Sequence, residues 1–301
     1  GFKREYSTVF IVVLKSASDS HYSSAGSDTY TYSGDRLSSL ARTGQSSVSF
    51  AYDSFGRMTS DGLEGVAIEY NSLDLPRKVS SSGTVKANYC YLADGTKVSA
   101  LTAGGTGLVY RGPFTYRRNS AGSLTLESAA CEEGRLTTSG AMLHVTDHLG
   151  SVVAVVRGSD GALYEASDYD AYGKRSSLTN AGAVSLPSGI TQRDRFTGKE
   201  DQGPDFAVGY TDFGARHYSP SLRRWLVPDP LSEKYYGISP YAYCAGDPVN
   251  RVDTDGKKIY DTNGNIITYD LKNGWSSNAD AKFIEVATLM QKYHIQQVYP
   301  D

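Results

Sequence analysis

Four tyrosines, Tyr32, Tyr52, Tyr70 and Tyr91, recur at spacings of 20, 18 and 21 residues, and each opens a short phrase ending near a basic residue. The phrases read Tyr-Ser-Gly-Asp-Arg-Leu (32–37), Tyr-Asp-Ser-Phe-Gly-Arg-Met (52–58), Tyr-Asn-Ser-Leu-Asp-Leu-Pro-Arg-Lys (70–78) and Tyr-Leu-Ala-Asp-Gly-Thr-Lys (91–97). A unit of about 20 residues cannot bury its own apolar face, so a repeat of this length must lean on its neighbours. Runs such as Ser-Val-Ser-Phe-Ala-Tyr (47–52) and Val-Ala-Ile-Glu-Tyr (66–70) alternate apolar with polar residues, and the phrase that follows each supplies Gly, Asp or Asn to turn the chain. That pattern predicts two-faced strands joined by tight turns, one hairpin per repeat. The fold class expected is all-β, a meandering, twisted strip of hairpins.

Composition supports the same class. Tyrosine supplies 23 residues against 9 Phe and 2 Trp, and Gly supplies 31. A tyrosine ring covers apolar area while its hydroxyl reaches water or backbone, which suits a sheet wet on one side. A formal charge of −3 over 301 residues, with no long basic run, disfavours nucleic acid and anionic membrane as partners. The longest early apolar run, residues 9–14, falls far short of the ~20 residues needed to span a bilayer and is expected to be a strand. Cys90, Cys131 and Cys244 are odd in number and widely spread, so they are expected to be buried free thiols rather than a disulfide framework or metal site.

Four segments follow from the pattern. Residues 1–28 hold one strand and a Ser-rich lead-in, 29–140 the repeats, 141–256 a motif-dense region, and 257–301 a distinct tail. The period loosens between 106 and 140 and resumes at Asp-His-Leu-Gly (147–150), followed by strand, turn and returning strand to residue 175. A low-complexity loop is expected over about 176–190. Then come Phe-Thr-Gly-Lys-Glu (196–200), Asp-Phe-Gly-Ala-Arg (212–216), Pro-Asp-Pro (228–230), Asn-Arg-Val-Asp (250–253) and Asp-Gly (255–256). This ordered string resembles the Rhs repeat-associated core domain, and the tyrosine phrases resemble the YD repeats of the same family. The wording of 110–135, with Gly-Pro-Phe and Leu-Glu-Ser, is similar to the version found in Bacteroidetes. The resemblance covers about residues 30–256.

The resemblance implies that YD repeats wind into a hollow β shell, that the core closes one end, and that a variable C-terminal payload, often a toxin, is kept inside. The favoured function is therefore a non-enzymatic shell and plug module of a polymorphic-toxin or cell-surface protein, secreted or surface-bound. Its partners would be its own C-terminal payload, further N-terminal shell repeats, and secretion machinery or the cell surface. No cofactor is implied. The chain opens on Gly1 and carries only four or five repeats, so it is expected to be the C-terminal part of a longer protein.

In better-known members the core cuts the chain after its last motif with aspartates of the aspartyl-protease kind. Such chemistry needs two carboxyls close enough that one stays protonated. The matching positions are Asp229 and Asp253, with Arg224 as the residue that would orient or charge-balance them, and the cut would fall between Gly256 and Lys257. The ending Asp-Thr-Asp-Gly-Lys (253–257) lacks the leucine usual before such a cut. The alternative function is thus a single-turnover autoprotease acting in cis; the structural alternative is that both aspartates simply cap turns beside prolines.

Other candidates carry less. His144 and His148 are four apart but sit in strand-forming surroundings without a third ligand, and His148 is expected to hydrogen-bond within its own turn. Arg216, His217 and Tyr218 are expected to pack and turn within the core, and Cys244 to be a core thiol. The tail begins with a hairpin around Asn263-Gly264 and continues as an amphipathic helix over 278–293, with Phe283, Ile284, Ala287 and Met290 on one side.

Overall fold

A computed structural model describes residues 28–42, 44–178, 182–235, 237–270 and 274–276. The early strand at 9–14, the Ser-rich lead-in and the helix at 278–293 lie outside the described residues.

Sixteen strands, from β1 (Thr29–Ser33) to β16 (Arg175–Leu178), form one antiparallel sheet in strict sequence order. The sheet does not close into a barrel; among the described residues β1 and β16 are its edges. It runs unbroken through 106–140, where the tyrosine phrases fade. There the chain reverses with two-residue turns at 112–113 and 132–133, which need no Tyr-Asp signature, and with a five-residue turn at 119–123 headed by Asn119.

Each repeat tyrosine marks the same place in the ladder. A bulge falls immediately before Tyr32, Tyr52, Tyr70 and Tyr91. Bulges add twist and bend the strand that carries them. Past Tyr52, Tyr70 and Tyr91 the chain enters a five-residue turn in which the first amide donates to the fifth carbonyl and the fourth amide donates back to the first. Asp53 Oδ1 accepts from the amides of Phe55 and Arg57, and Asn71 Oδ1 from those of Leu73 and Leu75. Asp147 and Asp170 repeat the arrangement. The tyrosine hydroxyl then reaches sideways to the first residue of the adjacent strand: Tyr70 donates to the Met58 carbonyl at 2.7 Å, Tyr91 to Pro76 at 3.1 Å and Tyr169 to Val152 at 2.9 Å. Because these tyrosines end odd-numbered strands of an antiparallel meander, all their turns lie on one rim of the sheet.

The inner face of the sheet is covered by residues 191–251. This segment is built of short pieces: β17 (Glu200–Asp201), a one-turn helix α1 (Gly203–Phe206), β18 (Thr211–Asp212), β19 (His217–Ser219) and β20 (Arg224–Trp225). A flat sheet of sixteen strands would be roughly 70 Å wide. Yet the hairpin of β19 and β20 touches both of its ends. Arg224 Nη2 donates to the Asp35 carbonyl at 2.7 Å, beside the first turn, and Tyr218 donates to the Tyr172 carbonyl at 2.9 Å, in the last. The wall is therefore strongly curved, wrapped around a plug.

Two kinds of contact hold wall and plug together. Toward the early strands the seam is apolar: Leu37, Leu40, Phe50, Met58, Ile68 and Val79 pack on Phe206, Val208, Leu222 and Leu226, with the four repeat tyrosines around them. Toward the middle and late strands it is ionic. Arg193 bonds Glu127 at 2.9 Å and Asp205 at 2.9 Å, all three nearly or fully buried. Lys97 bonds Asp212 at 2.6 Å and Glu200 at 3.0 Å, and Arg195 bonds Glu165 at 2.8 Å. Burial works against the Lys97 charge, but Asp212 and Glu200 outweigh it and hold the ammonium well above its usual range. Pairs of this kind gain little net stability over apolar packing but penalise misplacement heavily. The plug's own centre is aromatic, with Phe196, Phe213, Tyr218, Trp225 and Tyr243 in mutual contact; Tyr218 and Tyr243 centroids are 4.5 Å apart.

Two expectations are corrected. Cys90 and Cys131 are exposed; only Cys244 is buried, its thiol pushed well up by burial. Strand alternation explains Cys90, since Tyr89 and Tyr91 face the core and put the residue between them outside. His148 bonds across the molecule rather than within its turn: its Nε2 lies 2.9 Å from the Val249 carbonyl, tying the rim to the plug.

The rim turns permit a stability test. Gly173 has φ +85°, and a Cβ there would lie 2.4 Å from the Phe196 ring, whereas Gly161, at φ +74°, has open space. Gly161→Ala is expected to cost about 1 kcal/mol from backbone strain alone. Gly173→Ala adds overpacking and is expected to cost about 2–4 kcal/mol in all. Chemical denaturation of the two variants measures both, and equal losses would contradict the packing of the last rim turn on Phe196.

Candidate functional site

The three carboxyl and guanidinium groups that meet in the plug come from separate pieces of chain. Arg216 ends the turn between β18 and β19, Asp229 follows β20 between two prolines, and Asp253 ends β21 (Arg251–Asp253). Arg216 is almost fully buried, its guanidinium 4.0 Å over the Trp225 ring. Its Nη2 donates to Asp229 Oδ2 at 2.9 Å and to Asp253 Oδ2 at 3.3 Å, and its Nε donates to the Gly256 carbonyl. The structure thus brings together Asp229, Asp253 and Gly256, the residues singled out from sequence, through an arginine that the sequence reading assigned to packing.

Arg224 stands elsewhere. Besides its bond to Asp35, it lies over the rings of Tyr241 at 4.8 Å and Tyr32 at 5.6 Å, so its charge serves the seam between wall and plug. The residue that orients and neutralises the two carboxylates is Arg216. Its only sequence signal was position: a lone cation in Asp-Phe-Gly-Ala-Arg, a motif otherwise made of turn and aromatic residues.

Each aspartate divides its two oxygens between tasks. Asp229 Oδ1 caps its turn by accepting from the Leu231 amide at 2.7 Å. Asp253 Oδ1 accepts from the amides of Asp255 at 3.1 Å, Gly256 at 2.6 Å and Lys257 at 3.3 Å. The capping role and the pairing with Arg216 coexist in the same side chains. The peptide between Gly256 and Lys257 is held from both sides: its carbonyl faces Arg216 Nε, and its N–H faces Asp253 Oδ1 and Asp255 Oδ1, the latter at 2.9 Å. Gly256 sits at φ +75° with Arg216 backbone nitrogen 2.9 Å from where a Cβ would be, so only glycine fits. Lys257 is exposed. A cleft of about 440 Å³ opens onto Arg216, Asp255 and Lys257, walled by the rim turns at 73–75 and 94–96 and by Pro228 and Pro230.

Burial raises the Asp253 carboxyl to about 6 despite Arg216 and the amide donors, and it raises Asp229 as well, again against Arg216. Carboxyls joined through a guanidinium differ from a dyad that shares one proton directly. What the arrangement offers is a polarised carbonyl, a nearby carboxyl that exchanges its proton near neutral pH, and solvent access from the cleft. Among the described residues no three His, Cys, Asp or Glu side chains gather as a metal site would require.

No protein-family model and no curated protein matches the sequence. Solved structures do share the fold. A crystal structure of TcdB2-TccC3-Cdc42 superposes with a TM-score of 0.55 at 18% identity, over 76% of this chain and 13% of that one. The Tc holotoxin pore of Photorhabdus luminescens with a mutated TccC3 gives 0.54 at 18% over the same shares, and TcdB2-TccC3 gives 0.53 at 19%. The fold is Rhs-like. This chain spans about an eighth of the length of those Rhs-like neighbours, 13%, and the likeness at such identity concerns architecture alone.

The raised Asp253 carboxyl sets a direction for pH dependence. It binds its proton more tightly folded than unfolded, so its contribution is fully present below about pH 4 and is lost as pH rises through about 6. Relative to Asp253→Asn, the wild type is expected to lose up to about 3 kcal/mol of stability between pH 4 and pH 7, read by urea denaturation across that range. A gap that widened with rising pH would contradict the site as described.

Proposed function

We propose that this chain is the plugged end of an Rhs-type encapsulating shell: a wall and a seal, without turnover, that hold the chain following Gly256 as a payload. One observation carries this reading, the contact of the single hairpin β19–β20 with both ends of the sixteen-stranded sheet. A sheet that only presented a binding surface would have no need to wrap onto a segment of its own chain, whereas a container must be curled and stopped at one end. Toxin complexes among the solved neighbours support a payload-carrying, secreted or surface-bound protein of the polymorphic-toxin kind, with the Bacteroidetes-like wording of 110–135 as a narrower assignment. In this reading 29–140 is wall, 141–256 completes wall and plug, and 257–301 leads into the payload.

A second reading is favoured by the grip on the Gly256–Lys257 peptide. Arg216 would stabilise charge developing on the Gly256 oxygen, and Asp253 or Asp229 would take and return the proton while water from the cleft attacks, cutting the chain once in cis. Payload and plug would then be separate chains inside one shell.

The two readings have separate tests. For encapsulation, a peptide tag placed after residue 301 is expected to be cleaved by an added protease at least tenfold more slowly in the native chain than in Trp225→Ala, which removes the ring under Arg216 and opens the plug. Equal rates would refute containment. For self-cleavage, intact-mass measurement after purification is expected to show a fragment ending at Gly256, lost in Asp229→Asn, Asp253→Asn and Arg216→Met. A single uncut mass for the wild type would remove this second reading and leave the first standing.

A further inference from the structure

The turn that carries the Gly256–Lys257 peptide is the loop of a hairpin. β21 pairs antiparallel with β22 (Ile259–Asp261), Arg251 opposite Asp261, Val252 opposite Tyr260 and Asp253 opposite Ile259. β22 pairs in turn with β23 (Ile266–Ile267) around Asn263-Gly264. The strand that ends in Asp253 is thus the edge of a three-stranded sheet whose other two members lie beyond Gly256. Side chains repeat the pattern. Ile259 and Ile267 are buried with Tyr235 and Ala245 of the plug, flanked by Leu231 and Ile238. The Tyr235 hydroxyl accepts from the Ile259 amide at 2.8 Å. Past Ile267 the bonding changes hands: among the described residues β24 (Tyr269–Asp270) pairs with β25 (Gly274–Trp275) as a separate two-stranded ladder, which lies near residues 232–234 of the plug.

We propose that residues 259–267 are a latch belonging to the plug, so that breaking the chain at 256–257 leaves the two pieces joined, and that the separable payload begins after Ile267. The β21–β22 ladder and the packing of Ile259 and Ile267 on Tyr235 and Ala245 join the two sides of the break, and neither uses the Gly256–Lys257 peptide bond. A partner-strand added to an exposed edge binds by this same pairing. The latch does not require self-cleavage; it would hold equally after a cut by any peptidase at the exposed Lys257. It does bear on release, because a payload tied to its seal leaves only when the hairpin is pulled open.

The test uses the full chain with a site-specific protease recognition sequence inserted after Lys257. After complete cutting, confirmed by denaturing electrophoresis, the fragments are run on size exclusion. Co-elution at one to one is expected for the parent chain, and dissociation for Ile267→Asp, with at least a tenfold loss of affinity, equivalent to about 1.4 kcal/mol. Tyr235→Phe, which removes one acceptor and leaves the apolar contact, is expected to stay bound but dissociate faster. Circular dichroism of the uncut variants guards against misfolding, and Tyr235→Phe supplies the answer if Ile267→Asp does not fold. Fragments of the parent chain that separate on cutting overturn the latch. Fragments that stay together equally well in the parent and both variants overturn it too, since something other than 259–267 would then be holding them.

Discussion

Everything in this molecule depends on a two-faced strip of sheet having somewhere to put its inner face. Sixteen strands in sequence order supply wall, but no strand partner closes the strip on itself. The apolar side would remain in water unless another part of the chain filled the curve. Residues 191–251 do that with almost no regular structure of their own: a one-turn helix and strands of two or three residues. They can afford irregularity because the wall satisfies them. Backbone groups from Val152 to Met58 pair with plug backbone, and the ion pairs of Lys97, Arg193 and Arg195 fix register where apolar contact alone would allow sliding.

The same economy explains how the candidate site is placed. Arg216 is held by Trp225 beneath it, two carboxylates beside it and the Gly256 carbonyl ahead of it. Three turns that would otherwise be independent are thereby locked to one buried cation. A cation so enclosed is costly to bury, and the carboxylates beside it offset part of that cost. Hence the burial of Asp253 and Asp229 works against Arg216, and the balance leaves Asp253 titrating at about 6. Each aspartate caps its own turn with one oxygen and meets Arg216 with the other, which is why the sequence could support either reading of these aspartates.

Legibility in the sequence followed the range of the interaction. Asp53, Asn71 and Gly56 announce their turns because the bonds they make are within four residues. The tyrosines announce themselves because each recurs at a bulge. Between 106 and 140 two-residue turns at 112–113 and 132–133 replace the Tyr-Asp turns on that rim, so the period faded from view while the ladder did not. Arg216 was hidden for the opposite reason. Its partners are 13, 37 and 40 residues away, and nothing in a local motif distinguishes it from Arg224, which an equally plausible reading preferred. Likewise the last motif ends at Gly256, and no local wording announces that β21 pairs with β22 beyond it.

The placement of the tyrosine turns on a single rim has an outcome for how such a wall can vary. That edge is pinned: its Asx turns, its hydroxyl bridges and its contacts with Tyr241 and Val249 leave little freedom for added residues. The reversals at Gly34 and Gly112 on the same edge, like those at Gly83 and Gly161 on the opposite one, face open space instead. Inserted residues should therefore be accommodated at those four reversals, and least at the Gly56 and Gly173 turns, where an added Cβ would meet Tyr241 or Phe196.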